Sequence, residues 1–196
     1  MKKLFLLVAL VAAAFISKAQ EITIGPKVGM NVTNISNIDD SKNKVSIHVG
    51  AFAEWKVNDF FAIQPEVVYS RQGFRYKENG TKIKNRVNYL NIPVLAKLYV
   101  LENLSVDLGP QLGLALNGKA VAKDNGDTHK YKNKDLNTVE FSWAIGLSYN
   151  WDRFMFSARY NIGLSNVMDK DKSWDKSNNK NHVFQLSVGY RFSDLF

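Results

Sequence analysis

The sequence has no cysteine and only three histidines among its 196 residues. Without thiols it cannot form the disulfide framework of a small secreted domain, a cysteine metal site or a thiolate nucleophile. It also lacks an apolar run of the roughly 17–25 residues that a transmembrane helix needs. These gaps exclude a disulfide-stapled domain and a helical membrane protein.

The longest apolar run, Leu4–Ile16, lies near the N-terminus. It follows Met1-Lys2-Lys3 and precedes Ser17-Lys18-Ala19, which gives a basic start, a short apolar core and small residues before Gln20. This order predicts a secretory signal peptide over 1–19 and an exported domain over 20–196. The formal net charge is +8, and three of those charges lie in the predicted signal peptide, which leaves +5. Export argues against nucleic acid as a partner, and we expect the basic residues to contact anionic surface groups.

The rest of the chain has a period of two. In Val139–Trp151 every second residue is apolar or aromatic, and the residues between them are polar or small. Such alternation predicts a β-strand with one apolar face. The eight segments predicted to be strands are Ile22–Val32, Val45–Lys56, Phe60–Gly73, Val87–Val100, Leu104–Asn117, Val139–Trp151, Phe154–Ser165 and His182–Phe192.

Four prolines, at positions 26, 65, 93 and 110, fall inside four of the predicted strands. Proline has no N–H to donate to a neighbouring strand. We therefore expect a bulge or an irregular pair at each of them.

The connectors alternate in length. Three are tight, over 57–59, 102–103 and 152–153, whereas the four others are long and polar, over 33–44, 74–86, 118–137 and 166–181. Short periplasmic turns and long outer loops are typical of a membrane barrel. The sequence therefore predicts an all-β fold, an eight-stranded antiparallel up-and-down transmembrane β-barrel in the outer membrane.

Alternation alone does not say which face points inward, because a soluble lipocalin-like barrel has the same period with its apolar face inside. The polar face here carries many glycines, alanines and serines, among them Gly50, Gly113 and Ser148. Small residues suit the narrow interior of an eight-stranded barrel. Aromatic residues such as Trp55 and Trp151 end the apolar face near the tight turns, as in an interfacial girdle. Both features favour the membrane barrel.

The last predicted strand resembles the C-terminal assembly signal of outer-membrane barrels. Gln185, Tyr190 and Phe192 match its polar and aromatic positions, whereas Ser187 stands where glycine is usual. The resemblance implies recognition by the barrel-assembly machinery. The alternative is an ordinary last strand that ends in an aromatic residue.

The mature chain as a whole resembles the PorT-like outer-membrane β-barrel family of Gram-negative bacteria. The segments that carry the resemblance are Gly25–Asn34, Gln64–Gly73, Tyr89–Lys97, Gly109–Gly113 and Val188–Phe192. These motifs imply the barrel and not a reaction. The family's namesake is an accessory of a protein-secretion system, but most relatives share only the fold, and fold does not imply function.

Charged residues on the polar face are expected to meet inside the barrel, where buried charges need partners. The residues predicted to form this polar network of the lumen are Lys27, His48, Glu54, Glu66, Lys97, Asp107, Glu140 and Arg159. Some of the four carboxylates should pair with Lys27, Lys97 or Arg159. The alternative is a proton or solute path, but eight strands leave an interior just filled by side chains.

An enzyme would need a serine or similar nucleophile, a histidine base and a third group that orients the base. His48 is expected in the lumen beside Gly50, His129 in a charged loop, and His182 at the start of the last strand. None has a serine and an acid at a recognisable spacing. The sequence predicts no enzymatic activity, no cofactor and no metal site.

A basic stretch occupies the second long connector. Arg75, Lys77, Lys82, Lys84 and Arg86 stand there against Glu78 alone. If exposed outside the cell, these cations would sit near the phosphates of the outer leaflet and could contact lipopolysaccharide. The alternative is a loop that is merely soluble.

Together these features predict a barrel with a filled polar lumen and a structural or interaction role. Its expected partners are outer-membrane lipid, lipopolysaccharide or a surface protein. The alternatives are an accessory of protein secretion and a small-solute porin.

Overall fold

The computed structural model describes residues 22–35, 43–73, 75–78, 81–124, 127–132, 138–166 and 180–192. The predicted signal peptide lies outside the described residues. The strands are β1 (Ile22–Ile35), β2 (Lys44–Asn58), β3 (Phe61–Gln72), β4 (Arg75–Glu78), β5 (Thr81–Leu101), β6 (Leu104–Asp124), β7 (Asp127–Lys132), β8 (Val139–Trp151), β9 (Phe154–Asn166) and β10 (Lys180–Tyr190). Over this part of the chain we find no helix with the length and apolar character needed to cross a membrane.

Eight of these strands close into an antiparallel barrel. The sheet runs from β3 through β2, β1, β10, β9 and β8 to β6, and β5 pairs with both β3 and β6. Closure pairs the backbone groups of every ring strand, which removes the open edges that a lipid environment does not tolerate. The predicted eight-stranded up-and-down barrel is confirmed.

The remaining two strands extend the sheet beyond the ring. β4 pairs with the N-terminal end of β5, and β7 pairs with the C-terminal end of β6. The connectors predicted as long loops over 74–86 and 118–137 are therefore partly wrong, because both contain strands. Their sequences are charged and have no apolar face, so the period-two signal that identified the other strands is missing there.

The two faces of the barrel are as predicted. Along β8 the odd-numbered residues, such as Phe141 and Leu147, are exposed, whereas Glu140, Ser142 and Ser148 are buried. The other ring strands repeat this pattern, so that the outside of the barrel is apolar and the buried interior is largely polar. A soluble barrel with an apolar interior is thereby excluded.

Each of the four prolines has a register partner on only one of its two neighbouring strands. Pro26 pairs with Ala51 of β2 but has no assigned partner on β10, and Pro65 pairs with Val94 of β5 but has none on β2. Pro93 likewise pairs with β6 and has no partner on β3. Pro110 pairs with β8 and has no partner on β5. The register does not shift at any of them. The expected irregular pairs are confirmed, and the bulges are absent, because a missing N–H interrupts one ladder without inserting a residue.

The tight turns and the described chain ends share one end of the barrel. The turns lie at Asp59–Phe60, Glu102–Asn103 and Asp152–Arg153, and the first also corrects the predicted range 57–59. Phe192, just after β10, bridges back to Ile24 of β1. Short turns mark the periplasmic end of such barrels. The opposite end, with β4 and β7, is the extracellular one.

Candidate functional site

The centre of the lumen is a buried ion cluster around Glu66. Arg159 donates two hydrogen bonds to its carboxylate, Nη1 to Oε2 at 3.0 Å and Nη2 to Oε1 at 2.8 Å. Lys27 Nζ lies 3.1 and 3.2 Å from the same two oxygens. The side chains of all three residues are at most 3% exposed. Bidentate arginine–carboxylate pairs fix geometry as well as charge.

This cluster crosses the barrel. Glu66 lies on β3 and Arg159 on β9, which stand four places apart in a ring of eight strands. The pair therefore joins opposite walls of the lumen. Lys27, on β1, approaches from a third direction.

A second ion cluster lies nearer the periplasmic end. Lys97 Nζ donates to Glu54 Oε2 at 2.6 Å, and Tyr99 Oη donates to Glu54 Oε1 at 2.7 Å. Gln64 connects the two clusters, since its oxygen accepts from Lys97 at 3.0 Å and its amide donates to Glu66 Oε1 at 2.6 Å. The two clusters form one continuous hydrogen-bonded chain along the lumen.

The other two predicted carboxylates are buried with neutral partners. Asp107 accepts hydrogen bonds from Ser105, at 2.8 Å, and from Ser148. Glu140 is hydrogen-bonded to Tyr89 and Asn181. Neither carboxylate lies within ion-pairing distance of a cation in the described part of the chain. All four predicted carboxylates point into the lumen, and two of them, Glu54 and Glu66, form ion pairs there.

His48 has a serine partner that the sequence did not suggest. Its Nε2 lies 2.9 Å from Ser187 Oγ, and its Nδ1 lies 2.7 Å from Asn31 Oδ1. Gly29 separates His48 and Ser187, because it is the register partner of both, and its lack of a side chain lets the imidazole reach across β1. Only the strand order could have revealed this pair, since 139 residues separate its members.

Serine, histidine and asparagine in this order resemble a nucleophile, a base and an orienting group. All three side chains belong to residues at most 6% exposed. Asn31 also bonds to Ser70 and Gln185, at 2.9 Å each, so that the trio is part of a wider hydrogen-bond network. The arrangement satisfies buried polar groups, because the polar atoms of all three side chains bond to one another or to the surrounding network.

Gly29→Ala should therefore destabilise the barrel. An added Cβ would overlap the carbonyl oxygen of Leu186 and would lie 2.7 Å from His48 Cε1. We expect the free energy of unfolding to fall by about 1–3 kcal/mol, the usual range for overpacking. Urea titration of the folded barrel in lipid vesicles measures it. Gly113→Ala is the matched control, because its nearest atom, 3.0 Å away, belongs to the movable side chain of Asn91; an equal loss in both variants would contradict the argument.

The predicted basic stretch is a β-hairpin and not a loop. Arg75 is the register partner of Lys84, and Lys77 is the partner of Lys82. Arg86 follows on β5 and is exposed. The hairpin lies at the extracellular end of the barrel.

The residues of the predicted assembly signal lie on both faces of β10. Gln185 is buried in the lumen, where its amide donates to Asn31 Oδ1 at 2.9 Å. Tyr190 and Phe192 lie near the periplasmic end, with edge-to-face rings 5.1 Å apart, and Tyr190 also packs on Phe154. The described residues contain no group of histidines and carboxylates that could hold a metal ion.

Comparisons with known proteins agree with this architecture. The sequence profile of a family described as "Outer membrane protein beta-barrel domain" matches residues 18–169. One similar structure is the crystal structure of Ail, the attachment invasion locus protein of Yersinia pestis, in complex with the heparin analogue sucrose octasulfate. The match covers 88% of this chain and 99% of the Ail chain at 18% identity, with a TM-score of 0.52. The structure of Neisserial surface protein A covers 87% and 97% at 13% identity, with a TM-score of 0.53. No curated protein matches the sequence.

Proposed function

Because the chain belongs to the outer membrane protein beta-barrel domain family, we propose that it is a non-conducting barrel whose role is structural or interactive. It resides in the outer membrane. Its extracellular side is proposed to contact lipopolysaccharide or a partner protein, and no catalytic role is assigned to the lumen.

The observation that carries the proposal is the ion pair across the lumen. Arg159 and Glu66 connect opposite strands, and Lys27 and Gln64 occupy the space beside them. An ion or solute would have to displace a buried, bidentate pair, which leaves uncompensated charge in a low-dielectric interior. A small-solute porin needs an open path instead.

The extracellular side supports a contact role. It carries the basic hairpin of β4 and β5, whose cations would attract the anionic groups of the outer leaflet. Ail, which shares the fold, was crystallised with a sulfated sugar analogue. Anionic sugars and phosphates attract cations in the same way. For Gln185, Tyr190 and Phe192 we propose recognition by the barrel-assembly machinery.

The test is conductance in planar lipid bilayers. We expect the purified, refolded barrel to add no current above that of the bare bilayer, because the lumen is crossed by side chains. A general porin reconstituted at the same protein-to-lipid ratio is the positive control, and the heat-unfolded barrel is the negative one. Stepwise currents that grow with salt concentration and need the folded barrel would refute the plugged lumen and favour a porin.

A further inference from the structure

The extracellular strands form a sheet of their own above the ring. β5 and β6 continue past the barrel as a pair, with Arg86 opposite Lys119 and Lys82 opposite Lys123. β4 adds to the free side of β5, and β7 adds to the free side of β6. The result is a four-stranded antiparallel sheet in the order β4-β5-β6-β7.

The cations of this sheet occupy positions on one face. Directly paired residues lie on the same face, and so do residues two apart along a strand. By this register Arg75 and Lys77 of β4 share a face with positions 82, 84 and 86 of β5, 119 and 123 of β6, and 130 and 132 of β7. All nine of these positions are lysine or arginine, and the two other positions on this face are Val121 and Thr128. The three acidic residues of these segments, Glu78, Asp124 and Asp127, all fall on the other face.

This cationic face, as defined by those nine positions, continues the membrane-facing side of the barrel. Along β5 the even-numbered residues point outward, with Val94 and Leu98 exposed to the membrane and Arg86 exposed above them. The register between β5 and β6 shifts by one residue between Asn88 and Tyr89. Because of that shift, the outward-facing residues of β6 are even-numbered in the barrel and odd-numbered above it. Lys119 therefore lies on the same face as Arg86.

The height of the face matches the headgroups of the outer leaflet. From Leu90 to Val100 the outward residues of β5 are apolar, and at about 3.3 Å per residue this stretch is about 33 Å long. A tilt of about 45° converts that length to about 23 Å of thickness, close to the roughly 25 Å apolar band of such barrels. Arg86 lies four residues beyond Leu90, so the cations begin just above the apolar band.

We propose that the cationic face of β4-β5-β6-β7 binds the phosphate groups of lipopolysaccharide in the outer leaflet. The inference rests on the proposed function, since it needs the barrel in the outer membrane with this end outside. Phosphates in the membrane plane meet a sheet face that rises from the membrane-facing side, and lysine and arginine form charge-assisted hydrogen bonds with them. A soluble anionic sugar would not require the cationic face to continue the membrane-facing side of the barrel, whereas a lipid phosphate in the membrane plane would.

Native mass spectrometry of the full barrel, released from detergent micelles, tests this with bis-phosphorylated lipid A and its dephosphorylated form as probes. We expect tighter binding of the phosphorylated form. The double variant Lys84→Gln/Lys119→Gln should bind it about fivefold more weakly, as expected for two lost surface charge contacts. Lys56→Gln/Arg153→Gln removes the same charge at the periplasmic end and should bind like the wild type. Heat-modifiable migration on gels verifies that each variant is folded.

Equal binding of the two lipid A forms, or equal losses in the two double variants, would overturn the proposal. So would heparin fragments that bind through Lys84 and Lys119 while lipid A does not, because the ligand would then be a soluble anionic sugar. Bilayer conductance distinguishes this failure from that of the proposed function. A barrel that conducts no current but binds both lipid A forms equally refutes only the binding face. A barrel that conducts refutes only the plugged lumen.

Discussion

Glu66→Gln is expected to lower the free energy of unfolding of the barrel by about 3–5 kcal/mol, the cost of removing one partner of a buried ion pair. Glutamine keeps the shape of the side chain but removes the charge that faces Arg159 and Lys27. Two buried cations would then remain in the lumen without the carboxylate that both contact. Urea unfolding in lipid vesicles, followed by tryptophan fluorescence, measures the change.

Two further variants isolate the cause. Glu102→Gln removes the same charge from an exposed position in a periplasmic turn and should leave the stability within about 0.5 kcal/mol of the wild type. Adding Arg159→Gln to Glu66→Gln removes one of the uncompensated cations and should restore part of the loss. A loss below about 1 kcal/mol for Glu66→Gln, or no recovery in the double variant, would contradict a central role for the ion cluster.

How much of this molecule the sequence predicts depends on the range over which each feature is determined. The face of a residue in a strand follows from its immediate neighbours, which is why the inward position of Glu66 and the outward position of Leu186 were predictable. A proline disturbs the ladder by its own chemistry, so the one-sided pairing of Pro26 was predictable too. These local rules define the ring and its polar interior.

Partners across the lumen follow from closure of the barrel, which no local pattern encodes. Glu66 and Arg159 are 93 residues apart, and they meet only because β3 and β9 stand opposite each other in the ring. His48 and Ser187 meet only because β1 places a glycine between them. Knowing the strand order would have found both pairs, since the register then follows from the turns.

The extracellular strands escaped prediction for a different reason. β4 and β7 have no apolar side, so the alternation there is between cations and a mixed set of residues, as in Arg75-Tyr76-Lys77-Glu78. A search limited to apolar alternation treats such a segment as a loop. Charge also has a period of two here, and a search for alternating cations would have identified both strands.

Leu186→Arg tests the assignment of the outer face and should cost about 2–4 kcal/mol, the depth-dependent penalty of a charge near the middle of the membrane. Leu186 lies in the central part of β10, points outward with 47% of its surface exposed, and pairs with Met30 and Ala158. Leu101→Arg is the contrast at a different depth, because this residue adjoins a periplasmic turn, where the penalty falls to about 0–1 kcal/mol. Both variants are compared in vesicles and again in detergent micelles. If Leu186 faces lipid, the difference in stability loss between the two variants is large in vesicles. It shrinks in micelles, because the introduced arginine reaches water more easily there. Equal costs for the two variants in vesicles would mean that Leu186 does not face the membrane core.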